Sequence, residues 1–225
     1  MAFERIEVGK EADFVAHWSG EYKAAQGGFD FAQVSYENAD ERNGGTIDYY
    51  AELNIAGDLS KRNVKRLLRW KDQRFLTSEG QSDTNAGCPN VRVERVVAHL
   101  NAINAFRAGD LTEEREAAFD AEIGDCFPSG RGVWRTFVKH IARPWDFPIY
   151  DRHVWGAYCR LNGKPDGAEV PPVTLEGYGE YREFFLSLYR AVYGTDGRVR
   201  DKETVERMKR IDNALFAYDE QHGKK

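Results

Sequence analysis

Apolar side chains recur every three or four residues along most of the chain, which is the spacing of one buried face on an α-helix. This pattern predicts helices over residues 11–23, 46–55, 60 to at least 71, 90–106, 112–123, 133–142, 151–161, 175–193 and 202–218. Alternation of apolar and polar residues, which indicates a strand, occurs only in short stretches such as Phe29 to Ser35. We therefore predict an all-α protein of about eight to ten helices.

Residues that commonly begin and end helices support these boundaries. An N-cap residue accepts a hydrogen bond from a free backbone amide of the first turn, and such a residue precedes four of the predicted helices. The four residues are Thr46, Ser60, Thr112 and Asp151. Gly57 and Gly109 follow helices that they are expected to end.

Two polar, glycine- and proline-containing stretches, residues 77–89 and 162–174, predict loops between these helices. The first is the best candidate for a crossing between two lobes. A chain of 225 residues is long enough for one domain or for two lobes that share an interface. We expect residues 1–225 to form a single two-lobed helical domain.

The composition favours a cytoplasmic protein with no membrane partner. No apolar run approaches the roughly 20 residues that span a bilayer, and the charged N-terminal residues do not resemble a signal peptide. The three cysteines, Cys88, Cys126 and Cys159, lie far apart, which indicates a reducing compartment without a disulfide framework.

The net charge of −5 conceals a segregation of charge along the chain. Residues 60–74 carry seven basic side chains and one acidic, whereas residues 110–125 carry seven acidic and one basic. The basic segment is either a contact for a nucleic-acid backbone or a helix that buries Leu67, Leu68 and Trp70 and leaves its cations in water. The spacing does not separate these two alternatives.

A glycine-rich turn at residues 124–132 joins the acidic helix to the next one, and this arrangement suits a DNA phosphate. Glycine allows the backbone to approach the phosphate closely, and the amides at the start of the second helix can bind it without reading a base. Basic side chains then recur every four residues at Arg131, Arg135, Lys139 and Arg143. This basic stripe either meets phosphates or is a solvated face paired with the acidic helix.

The segment Pro-Ile-Tyr-Asp-Arg-His-Val-Trp at residues 148–155 resembles the catalytic segment of the helix-hairpin-helix DNA glycosylases, especially the 8-oxoguanine DNA glycosylase branch. In that family a Leu-Pro-Gly-apolar-Gly hairpin precedes the catalytic aspartate by about two dozen residues. Here Asp151 lies 23 residues beyond Pro128. The hairpin departs from the family pattern through an additional Ser129 and through Arg131 at an apolar position. The resemblance covers residues 112–161, the hairpin and catalytic segment, which is roughly a quarter of the chain.

The resemblance implies a two-lobed glycosylase-like fold in which Asp151 is the catalytic carboxylate. A carboxylate stabilises the positive charge that builds on the sugar and activates water. The implied DNA-binding residues are Gly130, Arg131, Gly132, Arg135, Lys139 and His153. Trp134 and Tyr150 are candidates for the pocket of the extruded base, with core packing as the alternative. Asp151 has an alternative too, since an aspartate at this position can serve only as an N-cap.

Bifunctional members of the family carry a lysine two residues after the second hairpin glycine, where it attacks the sugar. Trp134 occupies that position after Gly132, and Gly132 itself occupies it after Gly130. We therefore expect hydrolysis by water without a lyase step, unless a shifted hairpin recruits Lys139.

The expected partner is duplex DNA that holds a damaged or modified base, for instance an oxidised purine, and the expected state is a monomer. No short spacing of His and Cys suggests a metal, and three cysteines are too few for an iron–sulfur cluster, so we expect no cofactor. Two alternatives are a DNA-binding protein without catalysis and a helical module that binds other proteins.

Overall fold

The structure is a computed structural model that describes residues 6–25, 33–36, 45–71, 90–127, 132–164 and 175–223. Within these ranges the protein forms ten α-helices and a single pair of antiparallel strands, which confirms the predicted all-α class. The helices are α1 (Glu11–Ala25), α2 (Tyr49–Glu52), α3 (Lys61–Lys71), α4 (Asn90–Ala98), α5 (Leu100–Ala108), α6 (Glu113–Glu122), α7 (Gly132–Ala142), α8 (Arg152–Leu161), α9 (Leu175–Tyr193) and α10 (Lys202–His222). The strands are β1 (Gln33–Tyr36) and β2 (Gly45–Asp48).

The chain divides into two compact units. The first unit comprises residues 1–29, 130–140 and 144–225, and the second comprises residues 30–129 and 141–143. Helix α7 therefore begins in the first unit, and its last two residues belong to the second.

The first unit is built on α10, which packs against α1 and α8. Its apolar face follows the predicted helical spacing, and the side chains on it are buried: Val205, Met208, Ile211 and Leu215. The Asp201 carboxylate caps the helix by accepting from the Thr204 amide at 2.6 Å. The helix continues to His222, four residues beyond the predicted end.

The second unit contains the two strands and helices α2 to α6, and here one predicted helix is wrong. Residues 46–55 were expected to form a helix capped by Thr46, but Gly45–Asp48 is a strand, and Asp48 caps the short helix that follows. Ile47 lies opposite Val34 in the antiparallel pair. Pairing with β1 supplies backbone hydrogen bonds that a helix would otherwise supply, and the apolar spacing of residues 46–55 does not reveal such pairing.

A second difference concerns the predicted long helix over residues 90–106. The structure interrupts it at His99, so that α4 and α5 are separate helices. The His99 ring lies 2.9 Å from a carboxylate oxygen of Glu122 in α6, a contact that the apolar spacing does not encode. Helix α6, in contrast, starts as predicted, because the Thr112 hydroxyl accepts from the Arg115 amide.

A buried guanidinium holds the second unit together. Arg107, in the last turn of α5, is 1% exposed and donates five hydrogen bonds, all to backbone carbonyls. The acceptors are the carbonyls of Leu53, Asn54, Gly57, Ile141 and Ala142, at 2.7 to 3.2 Å. Arg143, which directly follows α7, in turn donates to the carbonyls of Phe106 and Gly109 at the end of α5. The carbonyls at the ends of α2 and α7 are thus satisfied by one side chain.

Replacement of Arg107 by methionine keeps an unbranched apolar stem and removes all five donors. We expect Arg107→Met to lower the free energy of unfolding by at least about 3 kcal/mol, because each buried carbonyl that loses its donor costs about 1–3 kcal/mol. Urea denaturation measures this loss. Arg62→Met, at an exposed position of α3, is the matched control and should change stability by no more than about 0.5 kcal/mol. Equal stability of the two variants would contradict the role of Arg107.

Candidate active site

Asp151 caps helix α8 as the sequence predicts. Its Oδ1 accepts hydrogen bonds from the amides of His153 and Val154, at 3.0 and 3.2 Å. The backbone of Asp151 is extended, so the chain turns into the helix at this residue. The free amides and the helix dipole together stabilise a negative charge here.

The same residue marks a break in a long buried stretch. Residues 141–150 and 154–159 are all buried, whereas Asp151 and His153 are partly exposed and Arg152 is exposed. Asp151 is therefore a partly exposed residue at the end of an otherwise buried stretch. A capping role alone does not require this burial on both sides.

Behind Asp151 lies a cluster of tyrosine rings. Tyr150 is fully buried, and its ring centroid lies 5.3 Å from that of Tyr178 and 5.4 Å from that of Tyr181. The Tyr178 hydroxyl donates to the Pro148 carbonyl at 3.1 Å. The hydroxyls of Tyr150 and Tyr181 are buried without a hydrogen-bond partner among the described residues.

Both of these phenols stay neutral near pH 7. Burial is the main reason why the pKa of Tyr150 is raised. Burial and the nearby carboxylates of Asp212 and Asp151 hold the pKa of Tyr181 well above its ordinary value. Two carboxylates, one from α10 and one at the start of α8, therefore raise the pKa of the same buried hydroxyl.

His153 binds carboxylates of the protein itself. Its Nδ1 lies 3.0 Å from Asp219 Oδ2 and 3.3 Å from Glu220 Oε1, both in α10. Arg152 Nε donates to its Nε2 at 3.0 Å, and its ring packs on Phe216. The contact of His153 with a DNA phosphate stays a prediction, and its neighbour Arg152 is the more exposed of the two residues.

Gly156 allows α8 and α10 to approach each other closely at this point. A Cβ atom added to Gly156 would overlap Asp219 Oδ1, and this oxygen also lies 3.4 Å from Arg160 Nε. The sequence analysis did not find Asp219, Glu220 or Arg160. Asp219 is 66 residues from its partner His153. The glycine inside a helix is the one local signal of such a close approach.

The predicted basic stripe of α7 is not an exposed face. Lys139 is 2% exposed, with Nζ 5.1 Å from the centroid of the Phe147 ring, and Arg143 is buried in the second unit. Arg135 is half-buried. Phe137, Val138 and Ile141 are buried as well, whereas Val133 and Trp134 are half-buried, so the helix is covered on more sides than its spacing indicates. Phosphate binding by Lys139 stays a prediction that requires this side chain to leave its buried position.

The remaining predicted site residues fall into two groups. Gly130 and Arg131 lie outside the described residues. Gly132 is the buried first residue of α7, and Trp134 is half-buried with its ring 6.4 Å from that of Phe137. Tyr150 has no exposed ring face, so core packing describes its position in this structure.

Helix α3 buries the apolar side chains of the basic segment and one of its cations, whereas its contact with a nucleic-acid backbone stays a prediction. Leu67, Leu68 and Trp70 are buried as the second alternative expects. One cation is also internal, because Arg66 forms a buried ion pair with Glu52 at 2.5 Å. Residues 72–74 of the segment lie outside the described residues.

Two features are absent from the described residues: a cluster of metal-ligating side chains and a helix that could span a membrane. The described residues contain no group of three or more His, Cys, Asp or Glu side chains arranged to hold a metal ion. None of the helices in these ranges combines the length and the apolar content needed to cross a bilayer. No protein-family model matches the chain, and no curated protein or solved structure matches it either.

The contact between Gly156 and Asp219 makes a specific prediction about stability. Gly156→Ala should lower the free energy of unfolding by about 1–3 kcal/mol, because the new methyl group forces α8 and α10 apart or expels the Asp219 carboxylate. Thermal and urea denaturation measure the change.

Gly179→Ala in α9 is the control for this substitution. Its Cβ would meet nothing within 4 Å, so helix propensity alone should make this variant more stable by about 0.5–1 kcal/mol. A stabilising effect at both glycines would show that α8 and α10 do not require Gly156.

Proposed function

We propose that this protein is a DNA glycosylase that hydrolyses the bond between a modified base and its deoxyribose, with Asp151 as the catalytic carboxylate. The observation that carries the proposal is the position of Asp151: a partly exposed residue, whose carboxylate accepts hydrogen bonds from two amides, lies where the buried segment 141–150 meets α8. The resemblance of residues 148–155 to the glycosylase catalytic segment supports the same assignment.

In the proposed reaction the bond between the sugar C1′ and the base nitrogen breaks, and positive charge builds on the sugar. The Asp151 carboxylate stabilises that charge and accepts a proton from a water molecule, whose oxygen forms the new bond to C1′. The base leaves with a proton taken from solvent, Asp151 returns the proton that it accepted to solvent, and the DNA retains an abasic sugar. Two backbone amides keep the carboxylate oriented, so the reaction requires little rearrangement of the charged group.

The proposed DNA contacts differ in how the structure supports them. Arg152 is exposed beside Asp151 and provides a cation next to the reacting sugar. His153 is partly exposed and adjoins it. The hairpin amides at Gly130 and Gly132 remain the proposed phosphate site on the grounds of sequence. Arg135 and Lys139 contribute less to the proposal because they are half-buried and buried.

The positions of the lysines in this region favour water as the nucleophile. Neither position that the family uses for its amine nucleophile holds a lysine in this chain. Lys139 Nζ faces the Phe147 ring in a buried position. We therefore propose a monofunctional enzyme that leaves an abasic site and does not cleave the strand.

Asp151→Asn separates catalysis from capping. Asparagine caps helices about as well as aspartate, so the fold should be retained, whereas loss of the charge should lower the rate of base excision by a factor of 10² or more. The assay uses a panel of duplexes, each with a single modified base, followed by alkaline cleavage of abasic products.

Asp201→Asn is the matched control, since Asp201 caps α10 in the same unit through the Thr204 amide. This variant should excise bases at the wild-type rate. If Asp151→Asn also excises at that rate, Asp151 is only a cap and the catalytic assignment fails. If the wild-type protein binds duplex DNA but excises none of the bases, the alternative of a non-catalytic DNA-binding protein is favoured.

A further inference from the structure

The connection between α9 and α10 is a short loop, residues 194–201, whose backbone is closely constrained. Gly194 and Gly197 have φ values of 69° and 76°, which side-chain-bearing residues rarely adopt. The Val199 amide donates to the Gly197 carbonyl at 2.6 Å, and the Asp201 amide donates to the Val199 carbonyl at 2.9 Å. Two successive three-residue turns therefore shape the tip of this loop.

Packing on Tyr189 constrains the loop further. A Cβ at Gly197 would lie 2.6 Å from the Tyr189 ring, so the backbone rests directly on that buried side chain. The loop is therefore preorganised, so little conformational entropy of the loop is lost when a partner binds it.

The tip of the loop places an apolar side chain in water between two arginines. Val199 is 56% exposed, and Val8 is the other large apolar side chain that is exposed among the described residues. Arg198 is 52% exposed, and its Nε reaches the nearest carboxylate, Asp146, at 3.9 Å, the outer limit of an ion pair. Because Val199 contributes little to the core of the unit, its exposed side chain is available to a binding partner.

Acidic side chains near the loop are bound within the protein. Asp196 pairs with Arg190 at 3.2 Å, and Asp201 caps α10. Glu203 pairs with Arg207 one turn away. Arg198 therefore lies among carboxylates that already have internal partners, and the tip is suited to an anionic partner.

The loop lies close to the proposed reaction site. Arg198 contacts Asp146, and the Arg200 guanidinium lies 5.5 Å from the centroid of the Trp145 ring. Asp146 precedes Asp151 by five residues, so their Cα atoms are at most about 18 Å apart. A duplex bound at Asp151 extends over that distance.

We propose that residues 198–200 form a second DNA-contact surface, in which the arginines bind phosphates and Val199 packs against the base stack or a sugar. This inference rests on the proposed function, since the partner is the same duplex. Guanidinium groups match phosphate geometry, and an apolar side chain flanked by cations suits insertion at a distorted base step. If the partner were an acidic protein, it would also bind the two arginines, but its affinity would not depend on whether a DNA duplex is intact or distorted.

Arg198→Gln tests the phosphate contact in the full-length protein. The dissociation constant for an unmodified fluorescent duplex is measured over a series of salt concentrations. The magnitude of the slope of log K against log[salt] should fall by about 0.9, the value for one lost phosphate contact. Lys10→Gln, an exposed position outside the loop that is paired with Asp13, should leave the slope unchanged. Melting temperatures of both variants should equal that of the wild type.

Val199→Ala tests the apolar contact. It should weaken binding to a duplex with a single abasic site by up to about tenfold, the effect of two buried methylene equivalents, without changing the salt slope. Val199→Leu should restore the affinity. Val8→Ala is the control, since Val8 is the other exposed apolar side chain in the described ranges.

The outcomes distinguish this surface from the proposed function. If the wild-type protein binds duplex with a salt-dependent affinity but Arg198→Gln and Val199→Ala bind equally well, the surface proposal is overturned and the glycosylase proposal stands. If the wild-type protein binds no duplex, both proposals fail. If Val199→Ala weakens binding to intact and abasic duplexes equally, Val199 does not recognise a distorted step and that part of the proposal is overturned.

Discussion

Two hydrogen bonds at the start of α8 hold the Asp151 carboxylate in place. The Asp151 carboxylate accepts from the amides of His153 and Val154, and the chain passes there from a buried segment of turns into a helix. The buried residues on both sides leave a short exposed interval for the carboxylate. The position and orientation of the charge, the start of α8 and the accessibility of the site all depend on this cap.

Buried cations recur through both units and serve the backbone and nearby rings as well as carboxylates. Arg107 saturates five carbonyls, Arg143 binds two more, and Lys139 lies over an aromatic ring. Arg66 and Lys209 form buried ion pairs, with Glu52 and Asp212 respectively. A long side chain with several donors can satisfy carbonyls at helix ends that would otherwise be costly to bury. Regular spacing of basic residues on a helix is therefore a weak guide to an exposed binding face in this protein.

The core behind Asp151 combines tight packing with unused hydrogen-bonding capacity. Tyr150 and Tyr181 are completely buried, and their hydroxyls have no partner among the described residues, whereas Tyr178 in the same cluster binds the Pro148 carbonyl. Unpaired buried hydroxyls reduce stability, and such groups concentrate near functional sites. Close packing of α8 on α10 at Gly156 supports this cluster from the other side.

The sequence by itself determined the helical class, most helix boundaries and the cap at Asp151, because apolar spacing and N-cap chemistry act within one or two turns. The start of α6 at Thr112 and the bounds of α9 follow from such local signals. Only the tertiary structure decided that residues 45–48 pair as a strand, that Lys139 is buried and that Asp219 meets His153. Each of these depends on residues outside the segment itself, and the periodicity of a single segment does not show what packs against it.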